Sequence, residues 1–345
     1  MPATAKALVL PVKQGTFVVK DVDVLVPAAG EILIKVIATS LNPVDWKIHK
    51  WAYVFKEYPA IVGYDIAGEV VELGAGVTDF AVGDRVFGQA HLERHRGSFQ
   101  QYVVALASNT AKIPANITFD EAATIPTVLT AAYVGLYNQV PRGLGFDSPV
   151  TKEARGKYAG IPIVITGGTS SVGQKALQLA HLSGFSPIVT TANPKNTEWL
   201  KSLGATAVLD RSLSHDDLIK EVKNLTHGKL QYVYDAISSD ETQKLGLDLL
   251  ADGGKVAVVT PPVITSTDTK TVIHVFGSVR APYNIALLEP LYHDHLFELV
   301  EQGFIKPNNV EVLPNGLAGI PAGLERLEAN QVSVRKLVAH PQETV

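Results

Sequence analysis

The stretch that most limits what this chain can become is Ile161-Pro-Ile-Val-Ile-Thr-Gly-Gly-Thr-Ser-Ser-Val-Gly173. A β-branched apolar run (Ile161, Ile163, Val164, Ile165) enters a tight glycine turn. Ala176, Leu177, Leu179, Ala180 and Leu182 then recur at helical spacing. A buried strand, a glycine turn and a helix N-terminus in that order are the usual holder of a pyrophosphate. Small residues admit the ligand to the backbone, and unsatisfied N–H groups meet its charge. From Gly168 to Gly173 the pattern is G-x-S-x-x-G, with Ser170 where the dinucleotide fingerprint has its middle glycine. Its hydroxyl can donate to a phosphate. Glycine turns also follow strands that bind nothing, so the motif alone leaves both readings open.

The next apolar run, Pro187–Ala192, reads as the second parallel strand. An NAD site places an Asp or Glu near its end, to accept from the ribose 2′-OH. Here the residues are Thr190, Thr191, Ala192, Asn193, Pro194 and Lys195, and no carboxylate appears before Glu198. A cation with neutral donors suits a 2′-phosphate, which a carboxylate would repel. The expected cofactor is therefore NADPH. Lys195 also has an ordinary reading, as a solvated charge at a helix start.

At 345 residues the chain exceeds what one core usually supports, so two domains are expected. With 46% hydrophobic and 19% charged residues it is globular rather than disordered. The apolar stretch Ala122–Tyr137 is interrupted at Pro126 and too short to span a bilayer, and the N-terminus lacks a signal-peptide pattern. A net charge of -4 gives no general reason to bind nucleic acid or an anionic membrane. A cytoplasmic location is expected. Cysteine is absent, which excludes disulfides and every thiolate zinc site.

Residues 1 to about 120 read as all-β, with short strands punctuated by glycines, in a small barrel or sandwich. Pro141–Gly160 reads as an exposed insertion. From Ile161 strands and helices alternate, which predicts a parallel sheet covered on both faces.

Several stretches carry a resemblance that spans nearly the whole chain. They are Leu41-Asn-Pro-Val-Asp-Trp-Lys47, Pro59-Ala-Ile-Val-Gly-Tyr-Asp-Ile-Ala-Gly-Glu-Val70, Val82-Gly-Asp-Arg-Val-Phe87, Gly97-Ser-Phe-Gln-Gln-Tyr-Val103, Leu203-Gly-Ala205 and Val332-Ser-Val-Arg-Lys-Leu-Val338. Together they resemble the medium-chain dehydrogenase/reductase superfamily, in its zinc-independent, quinone-reductase-like branch. Phe276–Asn284 and Gly316–Leu324 narrow the likeness to fungal trans-acting enoyl reductases. The resemblance implies an α/β protein with a GroES-like β-barrel catalytic domain (1–125, completed by 276–345) and a doubly wound Rossmann domain that binds NADPH (126–275).

It also implies site residues. Val44, Asp45, Trp46 and Lys47 border the cofactor near its nicotinamide. Thr130, with Thr127 second, lies beside nicotinamide and substrate. Gly168, Thr169, Ser170, Ser171, Val172 and Gly173 fall at the pyrophosphate, and Ala192, Asn193 and Lys195 at the 2′-phosphate. Arg211 replaces an aromatic of relatives and can stack on adenine or reach the phosphate. Val258 and Val259 border the nicotinamide, Gly277, Ser278, Val279, Arg280 and Ala281 the acyl groove, and Arg335 and Lys336 close the site. Zinc-dependent relatives carry a metal-ligating Cys and a Gly-His-Glu where this chain has Ser40 and Gly63-Tyr64-Asp65, so no metal is expected. Hydride transfer without a Lewis acid suits a conjugated C=C, whose carbonyl needs only a hydrogen bond or a cation.

The chain is thus expected to be an NADPH-dependent reductase of α,β-unsaturated carbonyls, with quinone reduction as the nearer alternative and a non-catalytic NADPH-binding relative as another. Lys47 is the expected polarising cation and Tyr53 a candidate proton donor, although solvent can serve and Tyr53 also reads as a packing aromatic between Trp51 and Phe55. Expected partners are a small enone, enoyl or quinone substrate, or an acyl chain carried on a partner synthase, for a monomer or homodimer. His91 and His95 have metal-like helical spacing but no third ligand nearby. Asp235, at a strand end, reads equally as a turn or a site residue.

Overall fold

A computed structural model describes Pro2–His91 and Glu93–Val345. The chain divides into two compact units. The first comprises Met1–Thr127, Leu288–Glu301 and Pro307–Val345, the second Val128–Leu287 and Gln302–Lys306. The first unit gives way to the second after Thr127. The chain returns to the first unit at Leu288, after leaving the last parallel strand through 276–281 into the helix Pro282–Pro290.

The first unit opens with β1 (Thr4–Leu10), β2 (Val18–Asp23) and β3 (Glu31–Ser40). Helix α1 (Pro43–Trp51) follows, then β4 (Ala60–Ile61), β5 (Asp65–Leu73), β6 (Arg85–Gln89), β7 (Tyr102–Leu106), β8 (Thr110–Lys112) and helix α2 (Phe119–Ala123). Strands β2, β1 and β4 form a small antiparallel sheet, and β3 is the spine of the larger one. It pairs with β5 on one side and β7 on the other, and nearly every residue of Glu31–Ser40 is buried, as its largely apolar run, poor in alternation, implies.

Helix α1 corrects the all-β reading. Asn42-Pro43-Val44-Asp45 is a helix start in the sequence: an N-cap Asn, a Pro at the first helical position and an acid at the third. The Asp45 carboxylate accepts from the Asn42 backbone N–H at 2.7 Å. Ile48, one turn on, is fully buried among Leu41, Phe99, Leu317, Leu324 and Leu337.

Helix α3 (Pro126–Tyr137) leads out of the first unit, and the second unit follows. Its strands are β9 (Ile163–Thr166), β10 (Ile188–Ala192), β11 (Ala207–Asp210), β12 (Tyr232–Asp235), β13 (Lys255–Val258) and β14 (Thr271–His274), with α4 (Ser171–Ser183) between the first two. All pairings are parallel, in the order β11-β10-β9-β12-β13-β14. The order reverses between β9 and β12, so right-handed crossovers place helices on both faces and ligands belong at the carboxyl ends beside that reversal. Pro141–Gly160 is not simply an exposed insertion. Leu144 and Phe146 are buried, and Phe146 packs edge-on against Tyr158, Phe185 and Tyr232 with centroids 4.7 to 4.9 Å away.

The chain returns to the first unit with β15 (Asn309–Val312) and β16 (Arg335–Ala339), and Val338 of β16 pairs with Ser40 at the end of β3. His340 then fastens the C-terminal segment, its ring nitrogens 2.8 Å from Asp120 and 2.9 Å from Glu343. Partial burial opposes its charge, but the hydrogen bonds to Glu343 and Asp120 outweigh that and raise its pKa. A raised histidine stabilises the fold fully below the ordinary value near about 6.5 and loses that contribution as pH climbs through the folded value. His340→Gln is therefore expected to lower stability by about 1 kcal/mol at mildly acidic pH. That deficit should vanish in mild alkali, as read from thermal unfolding at the two pH values.

Candidate functional site

In the second unit, β9 delivers its last residue, Thr166, to the turn. Gly167 takes a left-handed backbone (φ +69°), and a Cβ on Gly173 would lie 2.3 Å from the Gly167 carbonyl oxygen. Only glycine therefore lets the first turn of α4 close onto the loop. Ser170 caps α4, its Oγ accepting from the Gly173 N–H at 3.0 Å. That bond uses a lone pair and leaves the hydroxyl proton free to donate. Thr169, Ser171 and Val172 stay partly accessible at the N-terminus of this 13-residue helix. The turn fits a pyrophosphate: a helix N-terminus with its positive dipole end, a hydroxyl donor, and glycines at 167, 168 and 173 that keep the backbone approachable.

At the next strand end, the Asn193 side chain accepts from the Lys195 N–H at 3.1 Å, and the Arg211 N–H donates to the Ala192 carbonyl at 3.0 Å. Lys195 and Arg211 thus lie at one sheet end, just past the ends of the neighbouring strands β10 and β11, and both are exposed. The carboxylate absent from β10 occurs on β11: Asp210 faces Ala192 in register, and its Oδ1 turns back to accept from the Ser212 N–H and hydroxyl at 2.9 and 2.7 Å.

Asp235 does turn work across the strand reversal. Its Oδ1 accepts from the Thr166 hydroxyl, the Ile237 N–H and the Ser238 N–H. Ser238 (φ +55°) accepts in turn from the Val259 N–H at 2.8 Å, so the loop after Val258 is tied to the glycine turn. Thr130 is fully buried on α3. A Cβ on Gly277 would lie 2.9 Å from the Ala131 Cα, so the Gly277–Ala281 segment runs against α3 one residue from Thr130. Val279 and Ala281 are buried, while Ser278 and Arg280 are partly accessible.

In the first unit, α1 carries the other candidates. The Lys47 ammonium lies 5.6 Å from the Trp46 ring centroid and 5.4 Å from that of Trp51. Burial lowers its pKa. Tyr53, beyond the helix end, is exposed and tilted against Trp51, and partial desolvation and the Asp45 carboxyl raise its pKa. Val44 packs on the core, and Asp45 is fully buried. Lys336 is buried too. Its ammonium donates to the Leu41 carbonyl at 3.1 Å and the Asn42 Oδ1 at 2.5 Å, and pairs with Asp65 at 3.3 Å. These bonds hold it inside the unit, while its neighbour Arg335 is exposed. The Thr127 N–H donates to the Asp65 Oδ1 at 2.7 Å. Sequence reasoning named Ser40 and Asp65 as departures from a metal site and did not foresee the cluster they make with Asn42 and Lys336.

The family comparisons fit both units. Residues 28–115 match the alcohol dehydrogenase GroES-like domain, and residues 171–281 the zinc-binding dehydrogenase domain. A dehydrogenase of Aspergillus niger, azaJ, is 34% identical over 98% of this chain and 99% of its own. The chain belongs to the medium-chain dehydrogenase/reductase superfamily. The trans-enoyl reductase buaC of Petromyces alliaceus is 30% identical over 98% of this chain and 97% of its own. A mycobacterial protein solved as a complex with NADPH superposes with a TM-score of 0.77 at 24% identity, covering 98% of this chain and all of the other. As a member of this superfamily the chain is an oxidoreductase of the nicotinamide-dependent kind, with a GroES-like unit and a Rossmann unit.

The residues at the superfamily's catalytic metal position do not fit zinc. Ser40 donates its hydroxyl to Asp65 at 2.5 Å, Tyr64 replaces the histidine, and Lys336 already supplies a cation there. His91 and His95 fall in a turn segment rather than on a helix, with Leu92 between them outside the described residues. Among the described residues, no group of three His, Cys, Asp or Glu side chains is placed to hold a metal. No helix among them is long and apolar enough to cross a membrane.

Proposed function

We propose that this chain is a zinc-independent, NADPH-dependent reductase of α,β-unsaturated carbonyl compounds. The observation that carries the reading is Lys47: a half-buried, partly desolvated cation on α1 beside two indoles, in a superfamily member whose metal position is filled by Ser40, Tyr64, Asp65 and Lys336. When bound, NADPH supplies the hydride that saturates the β-carbon. The Lys47 ammonium meets the negative charge that develops on the carbonyl oxygen, where a desolvated cation is worth most. A proton from the Tyr53 hydroxyl or from water then completes the α-carbon. The trans-enoyl reductases among the relatives support this reaction type, and an acyl chain carried by a partner protein is a substrate of the same class. The test is NADPH consumption against a panel of enones and enoyl thioesters beside a panel of quinones. Turnover with quinones alone, or binding without consumption, would overturn the proposal.

Lys195 and Arg211 support the choice of NADPH, since both cations reach the end of β10 and β11 where a 2′-phosphate would sit. Lys195→Ala combined with Arg211→Ala is expected to raise the KM for NADPH by about 10- to 100-fold. NADH should change little. Equal losses with the two cofactors would refute the assignment.

A further inference from the structure

Two carboxylates and one ammonium are sealed together beneath the start of α1. Asp45 and Asp65 have no exposed surface and Lys336 has 3%. Asp65 is saturated with donors: the Ser40 hydroxyl at 2.5 Å, the Asn42 side-chain amide at 2.7 Å, the Thr127 N–H at 2.7 Å and the Lys336 ammonium at 3.3 Å. Asp45 has one, the Asn42 N–H, and its other oxygen is buried with no hydrogen-bond partner. If both acids were ionised, one lysine would leave a net negative charge out of reach of water, which folded proteins avoid by taking up a proton. The donors decide where that proton goes: Asp65 is built to be a carboxylate, and Asp45 is not.

We propose that Asp45 is a positioning residue held as the neutral carboxylic acid, which seats the first turn of α1 on the Asp65–Lys336 pair and so fixes the place of Lys47. For the work of Lys47 this rests on the reading above. The groups facing Asp45 are Asp65 on β5, Lys336 on β16, Tyr53 from the loop after α1 and Tyr64 from the turn between β4 and β5. Burial first, and the Asp65 charge second, push its pKa up, against the Asn42 N–H and Lys336. A raised acid gives the fold stability that is complete below the ordinary carboxylate value near about 4 and is lost as pH rises through the folded value.

The test compares the full-length chain with Asp45→Asn and Asp65→Asn by thermal unfolding from mildly acidic pH up to about 8. The wild type should lose stability steadily across this window, as unfolding releases the extra proton. Asp45→Asn should flatten that slope and melt above the wild type at the alkaline end. Asp65→Asn should melt below it throughout, because it leaves the Lys336 ammonium unpaired. An Asp45→Asn protein that melts as low as Asp65→Asn, with the wild-type slope intact, would overturn the proposal. For positioning, Asp45→Ala should lose kcat by about tenfold with KM for the enone little changed, about 1.4 kcal/mol at the barrier. Asp45→Asn should recover most of it; a folded Asp45→Asn no faster than Asp45→Ala would overturn that half. A wild type inactive on every enone would refute the functional reading instead, and the melting curves would still decide the protonation of Asp45.

Discussion

Lys47→Met is expected to lower kcat for enone reduction by about 100- to 1,000-fold, the scale seen when one preorganised group opposite a developing oxyanion is removed. KM for NADPH should hardly move. Methionine keeps the unbranched stem that lies along Trp46 and Trp51, so the melting temperature should stay within a few degrees while the charge disappears. Lys47→Arg, which keeps the charge at a different reach, should recover part of the rate. The pH profile offers an independent check. Burial lowers the Lys47 pKa, so the wild-type rate should fall on the alkaline side earlier than a solvated lysine would allow, and that limb should be missing from Lys47→Met. A Lys47→Met enzyme within about threefold of wild type would remove Lys47 from the chemistry.

The second large effect belongs to the turn. Gly173→Ala places a methyl 2.3 Å from the Gly167 carbonyl oxygen and 3.0 Å from the Ser170 Oγ. The carbonyl is backbone and cannot rotate away as a side chain would. The turn must open, and with it go the α4 cap and the N–H groups that would meet a pyrophosphate. Cofactor affinity should fall by at least about 100-fold, because several charge-assisted hydrogen bonds are misaligned together. Fluorescence titration with NADPH measures this directly. Ser170→Ala removes the cap and one donor while leaving the glycines, and should cost less, about tenfold. If Gly173→Ala binds NADPH as tightly as wild type, the phosphates do not sit in this turn.

The Rossmann unit was the more legible half of the sequence. Its strands are parallel and buried on both faces, so Ile163–Thr166 and Ile188–Ala192 stand out as β-branched runs without charge, and the turn between the first of them and α4 uses local chemistry alone. The first unit was harder. Its frequent glycines and short strands drowned a nine-residue helix whose start signal, Asn42-Pro43-Val44-Asp45, was present in full. That helix carries Lys47, so a residue placed by resemblance acquired a physical setting only from the structure.

Lys336 shows what sequence spacing cannot supply. It lies 271 positions after Asp65, and only the return of β16 beside β3 brings its ammonium to that carboxylate. Nothing local in Val332–Val338 distinguishes a lysine that closes a site from one buried in an ion cluster. The same holds for Pro141–Gly160, whose polar composition conceals that Phe146 is anchored among three aromatic rings. Asp235 lay between these cases: its place at a strand end was readable, but not that its carboxylate ties Thr166 to the Ser238 loop.

In the proposed reaction two electrons reach the β-carbon of an activated alkene with the Lys47 ammonium, rather than a metal, holding the carbonyl oxygen. The direct measurement is a turnover with NADPH carrying deuterium at the transferable position, an enone as acceptor, and NMR of the saturated product. Deuterium at the β-carbon with solvent hydrogen at the α-carbon is the expected result. A saturated product without deuterium at the β-carbon would rule this reaction out.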